Sequence, residues 1–220
     1  MISSRLVQLF QNPMAILYTL PGIIIGLTVH EWAHAFVAYK LGDPTAKEMG
    51  RLTLNPLAHI DPYGFLSLLL LGFGWAKPVP VNPRNFKNYK RDDILVSVAG
   101  VVMNLIVAFI MTIVFYLGVY KWNMISNTAF QSIVMSIITI NLSLAVFNLI
   151  PIYPLDGSHI LDGLLMHKAP KVCIFLHKYG QIILIALLIF GVVSSVLSAV
   201  VNWIWRGFSN AVLFLIRPLL

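Results

Sequence analysis

His30-Glu31-Trp32-Ala33-His34 places three side chains capable of metal chemistry within five residues. On a helix, histidines four positions apart stand one above the other on one face, so both rings can reach a single zinc ion. Glu31 sits beside that metal with no coordination task, which leaves it free to take a proton from water there. The flanks, residues 21–29 and 35–39, are almost wholly apolar and read as lipid-embedded helix. The chain has eight acidic residues, and one of its two glutamates stands at this point. A carboxylate in such a place is costly and marks a functional position.

A catalytic zinc commonly has three protein ligands and one open position, so the histidine pair needs a partner. His59, Asp61, Asp156, His159 and Asp162 are the candidates. Asp156 is favoured, because Pro151, Pro154 and Gly157 break an apolar helix just around it. Irregular backbone at membrane depth is tolerated only against protein or a wet cavity, so this break reads as a constructed site. His59 and His159 read instead as surface or supporting groups.

The elements that must position these groups are those of a membrane protein. The chain is 59% hydrophobic and 10% charged, with mean hydropathy +0.85, whereas soluble domains carry about 25% charged residues. The expected fold is an all-α, multi-pass helical bundle, a single domain over residues 1–220 with its core in 14–166 and a C-terminal span and anchor in 167–220. Cys173 is the one cysteine, which excludes an internal disulfide and a thiolate zinc site. The +7 charge collects in loops between apolar segments, which argues for membrane orientation and against a nucleic-acid partner.

Along the chain, a first helix is expected over 14–41, ended by Gly42-Asp43-Pro44. Residues 45–55, with their β-branched and alternating pattern, predict a short cytoplasmic β-hairpin turning at Gly50. An unwound substrate could add to its edge as a strand, or the hairpin could simply cap the bundle. Residues 65–73 are apolar but too few to cross a bilayer, so a re-entrant or interfacial helix is expected there. Residues 77–93 form a polar loop. Spans follow over 94–120, 128–150 and 181–201, with a short helix over 158–166 before the last. Trp203, Trp205 and Arg206 read as interfacial anchors. The segment around Arg5 is expected to be retained, since no small-residue cleavage site follows it. Eleven of the fifteen Lys and Arg residues fall in three loops on one side, with Lys121 in the opposite loop, so the positive-inside rule puts the active site towards the cytoplasm.

The chain resembles the site-2 protease family of intramembrane metalloproteases, in particular its small prokaryotic members without PDZ or CBS domains. The motifs that carry the resemblance are the His30–His34 pentad, the segment from Asn148 to Gly157, Gly100-Val-Val-Met-Asn104, and Gly74-Trp-Ala-Lys-Pro-Val-Pro-Val-Asn-Pro83. Val101 and Tyr153 depart from it, standing where the family often has proline. The resemblance implies a zinc-dependent endopeptidase that cuts within or beside transmembrane segments of membrane proteins in the lipid bilayer. It assigns zinc to His30, His34 and Asp156, and general-base duty to Glu31. A donor to the developing oxyanion is also required. Asn148 is the first candidate and Asn104, at the substrate, the second; either amide would otherwise link helices. Gating could fall to a regulatory partner protein or to prior trimming of the substrate. The rival reading is a zinc-binding membrane protein that transports metal or scaffolds a complex without hydrolysis. Glu31 is surplus to that role.

Overall fold

The computed structural model of the protein describes residues 13–71 and 74–217. The expectations for Arg5, for the end of the re-entrant segment at 72–73 and for residues 218–220 lie outside them. The regular elements among the described residues are helices, as the long apolar runs demand. Helix α1 is Pro13–Lys40, the short α2 is Thr45–Glu48, and α3 is Pro62–Leu71. Then come α4, Tyr89–Tyr120, and α5, Thr128–Asn148, followed by α6, Asp156–Leu165, α7, Pro170–Ile189, and α8, Val192–Ile216. Five of these, α1, α4, α5, α7 and α8, are long and apolar enough to cross a membrane. The ten residues of α3 reach only about 15 Å at 1.5 Å per residue, half a bilayer core.

Helices α1, α4 and α5 pack against one another and form the frame of the molecule. Ala108, Val134, Ile138 and Leu142 meet in a buried cluster between α4 and α5, joined by Val201 of α8. Helix α8 adds aromatic contacts, with Phe208 edge-on to Phe109 at 5.1 Å and Trp205 stacked on Tyr116 at 6.4 Å. Trp205 therefore packs within the bundle. A second cluster of Leu155, Leu184 and Val193 fixes α7 and the start of α8 against the break after α5.

Two expectations are overturned. The β-hairpin at 45–55 does not form: the described residues contain no strand, only an isolated antiparallel bridge between Ile60 and Ala76. The chain instead makes the one-turn α2, and Gly50, at φ +69°, terminates it. Gly50 N–H donates to the Lys47 carbonyl and Arg51 N–H to that of Ala46, the paired bonds of a Schellman stop. Local capping thus outcompetes the weak alternation of Arg51-Leu-Thr-Leu54. The single span expected over 181–201 is also two helices, because Gly191 takes a left-handed conformation at φ +73° and breaks it.

Candidate metal centre

His30 and His34 lie in the C-terminal half of α1, buried to 6% and 8% exposure, with ring centroids 4.6 Å apart. Asp156 is the first residue of α6, brought up by the non-helical stretch that follows α5. Its Oδ2 lies 3.1 Å from His30 Nε2 and 3.3 Å from His34 Nε2. Of the carboxylates and histidines weighed from the sequence, only these three gather, all ligand atoms within 4.8 Å of one another. His59 is fully buried elsewhere with Nε2 against the Thr53 carbonyl, and Asp61 accepts from Gly64 N–H at the start of α3. His159 pairs with Asp93 and His177 with Asp162.

Each histidine is fixed from behind. His34 Nδ1 lies 2.8 Å from the Val96 carbonyl, so it carries the proton. His30 Nδ1 lies 2.6 Å from Asn104 Oδ1. The orientation of that amide is set by its other end, where Nδ2 donates to the Gly26 carbonyl at 3.1 Å and to Asn141 Oδ1 at 2.9 Å. Asn141 Nδ2 in turn donates to the Ile137 carbonyl. Oxygen therefore faces His30, and its ring too is protonated on Nδ1. Both Nε2 atoms are left as lone-pair donors, as supporting hydrogen bonds commonly arrange for metal-binding histidines. Gly100 makes this close approach possible: a methyl group there would sit 2.6 Å from His30 Cε1 and 2.7 Å from His34 Nε2.

Two lone pairs and a carboxylate oxygen converging in a buried space repel one another without a cation. Asp156 Oδ2 is buried and has no hydrogen-bond partner among the described residues. Ligands about 2.0–2.1 Å from a tetrahedral centre stand about 3.3–3.4 Å apart, close to the two Asp156 separations. The donor set and its spacing fit zinc.

Glu31 is half-buried, and its Oε2 accepts from Val79 N–H at 2.9 Å. Asn104 is fully buried, with its amide committed inside the bundle. Asn148 is half-buried at the end of α5, with Nδ2 donating to the Leu144 carbonyl one turn back. The roles of Val96, Gly100, Asn141 and Val79 escaped the sequence reading. For Asn141, an amide inside an apolar span was the signal that could have revealed it; backbone partners leave no signal in side-chain types.

A model of peptidase family M50 matches residues 116–191, the region that includes Asp156. A Bacillus subtilis protein provisionally named zinc metalloprotease YwhC is 42% identical over 188 residues, covering 84% of this chain and 86% of its own. The chain belongs to peptidase family M50. Two further relatives of this M50 chain, both provisionally named zinc metalloprotease Rip2, come from mycobacteria. The Mycolicibacterium smegmatis protein is 30% identical, covering 76% of this chain and 65% of its own. That of Mycobacterium tuberculosis strain H37Rv is 26% identical over 84% and 71%. No solved structure matches. As an M50 peptidase with membrane-length helices and a zinc-fitting donor set, the protein is a multi-pass, zinc-dependent intramembrane endopeptidase. The transporter or scaffold reading is not favoured.

Proposed function

We propose that His30, His34 and Asp156 hold the catalytic zinc, with Glu31 as general base. The convergence of two Nε2 atoms and one carboxylate oxygen on a single buried point carries this reading. When bound, zinc polarises the scissile carbonyl and makes a nearby water more acidic. Glu31 accepts the proton of that water and returns it to the departing amine. Its Oε2 is held by Val79 N–H, while Oε1 has no hydrogen bond among the described residues and is left for the proton. Asn148, whose amide keeps one N–H beyond its bond to Leu144, donates to the developing oxyanion. Asn104 acts on the ring of His30 and does not contact substrate, because its donors and its oxygen are already engaged. We further assign the site to the cytoplasmic side: ten of the fifteen Lys and Arg residues lie in, or within three residues of, the segments 41–88 and 149–169 that join the spans on that side, while Lys121 lies between α4 and α5.

Zinc affinity, measured by chelator competition on purified protein, tests the ligand set. His30→Ala and Asp156→Ala abolish stoichiometric zinc, Asn104→Leu weakens binding about 10- to 100-fold, and Glu31→Gln retains zinc. Full zinc retention in Asp156→Ala would refute the assignment.

A further inference from the structure

Glu31 is gripped by a segment that belongs to none of the helices of the frame. Residues 76–82 run outside any helix beside α1, with Val79 at Glu31, and three devices hold them there. At one end, Ala76 bridges Ile60 and Lys77 N–H donates to the His59 carbonyl. At the other, Asn82 N–H donates to Asp43 Oδ2 at 2.7 Å, and Val81 packs against the buried Ala38, Phe86 and Val96. Between them sits Arg51. Its Nη2 donates to the Lys77 carbonyl at 2.6 Å and its Nη1 to the Pro78 carbonyl at 3.0 Å.

Arg51 is anomalous. It is 6% exposed, its Nε is buried without a partner, and it forms no ion pair with any described carboxylate. A buried cation held only by carbonyls is expensive. What it does hold is one peptide group that reaches the active site. The Pro78 carbonyl and the Val79 N–H belong to the same planar, trans unit, so they point in opposite directions. Arg51 grips the oxygen of that unit, and Glu31 receives its hydrogen. The peptide dipole is thus aligned between a guanidinium and a carboxylate, and hydrogen bonds in such a chain strengthen one another. Pro78 and Pro80 bracket Val79 and cannot donate, so within the Pro78–Pro80 stretch only the Val79 amide carries a backbone N–H.

We propose that Arg51 is a positioning residue for Glu31, acting through the Pro78–Val79 peptide group. The inference rests on Glu31 being the general base. Fixing one carboxylate oxygen restricts the side chain to the orientation in which the other meets water, which is where a misplacement of about 1 Å costs most. Arg51 contributes to turnover without touching substrate or metal.

The test is a double-mutant cycle on a model transmembrane substrate, with kcat, KM and bound zinc measured for each variant. Val79→Pro deletes the N–H in a non-helical stretch already flanked by prolines, whereas Val79→Ala keeps it. Val79→Pro is expected to lower kcat at least tenfold more than Val79→Ala, with KM and zinc content little changed. Arg51→Ala is expected to lower kcat about 10- to 100-fold, with Arg51→Lys recovering part of it through one carbonyl. In a Val79→Pro background, Arg51→Ala should cost almost nothing more. Equal kcat for Val79→Pro and Val79→Ala would overturn the proposal, as would full additivity of the Arg51 and Val79 effects. Should Arg51→Ala not fold, the Val79 pair decides alone. Glu31→Gln is run alongside: if it still cleaves, the general-base reading has failed, and if it is dead while Val79→Pro turns over like Val79→Ala, only the positioning role has.

Discussion

At the scale of single residues, the molecule repeatedly uses polar groups in buried places, and each has a definable task. His30 and His34 are held by Asn104 and by the Val96 carbonyl, so that their Nε2 atoms face the same point as Asp156. Asp43, fully buried just after α1, accepts from Thr45 N–H, Thr45 Oγ1, Asn82 N–H and Asn85 Nδ2. Burial alone would raise its carboxyl above the usual range, but the hydrogen bonds from Thr45, Asn82 and Asn85 outweigh it and hold the group below. A depressed folded-state pKa contributes stability above the ordinary aspartate value of about 3.9 that is lost as pH falls through the folded value. Asp43→Asn should therefore lower stability by about 1–3 kcal/mol near neutral pH. The gap between wild type and variant should narrow on acidification below about pH 4. Thermal midpoints in detergent across pH check this; a gap independent of pH would show that the charge of Asp43 contributes nothing.

At the scale of elements, what could be read from the sequence was whatever depends on local spacing. The pentad puts its histidines on one helical face by periodicity alone, and the prolines between Asn148 and Asp156 announce a break. Asp156 indeed lies with the histidines, delivered by that break. The hairpin was misread because Arg51-Leu-Thr-Leu54 alternates like a strand, while the Schellman bonds around Gly50 depend on a helical turn that the window of alternation does not reveal. The expected span over 181–201 failed for a similar reason: its apolar run is continuous, and one glycine at positive φ divides it. Least legible was the chain of amides from Ile137 through Asn141 and Asn104 to His30. It requires α1, α4 and α5 to be rotated correctly about their own axes, which only packing determines.

On the scale of the whole molecule, three mutually packed helices form the frame, and the groups of the site come from widely separated parts of the chain. The histidines lie on α1, their supports on α4 and α5, Asp156 on α6, and the amide at Glu31 on a non-helical segment held by Arg51 and Asp43. The loops carrying Lys87 and Lys121 should be labelled from opposite faces of the membrane when each lysine is replaced singly by cysteine in a Cys173→Ser background. Labelling of both from one face would contradict the orientation. The central claim is that this assembly holds zinc for hydrolysis with Glu31 as base. Its most direct test compares wild type with Glu31→Gln on a model transmembrane substrate, with bound zinc measured on the same samples. The account predicts that cleavage falls at least about 100-fold while zinc stays at one ion per chain. Cleavage at the wild-type rate by the zinc-loaded variant would contradict it.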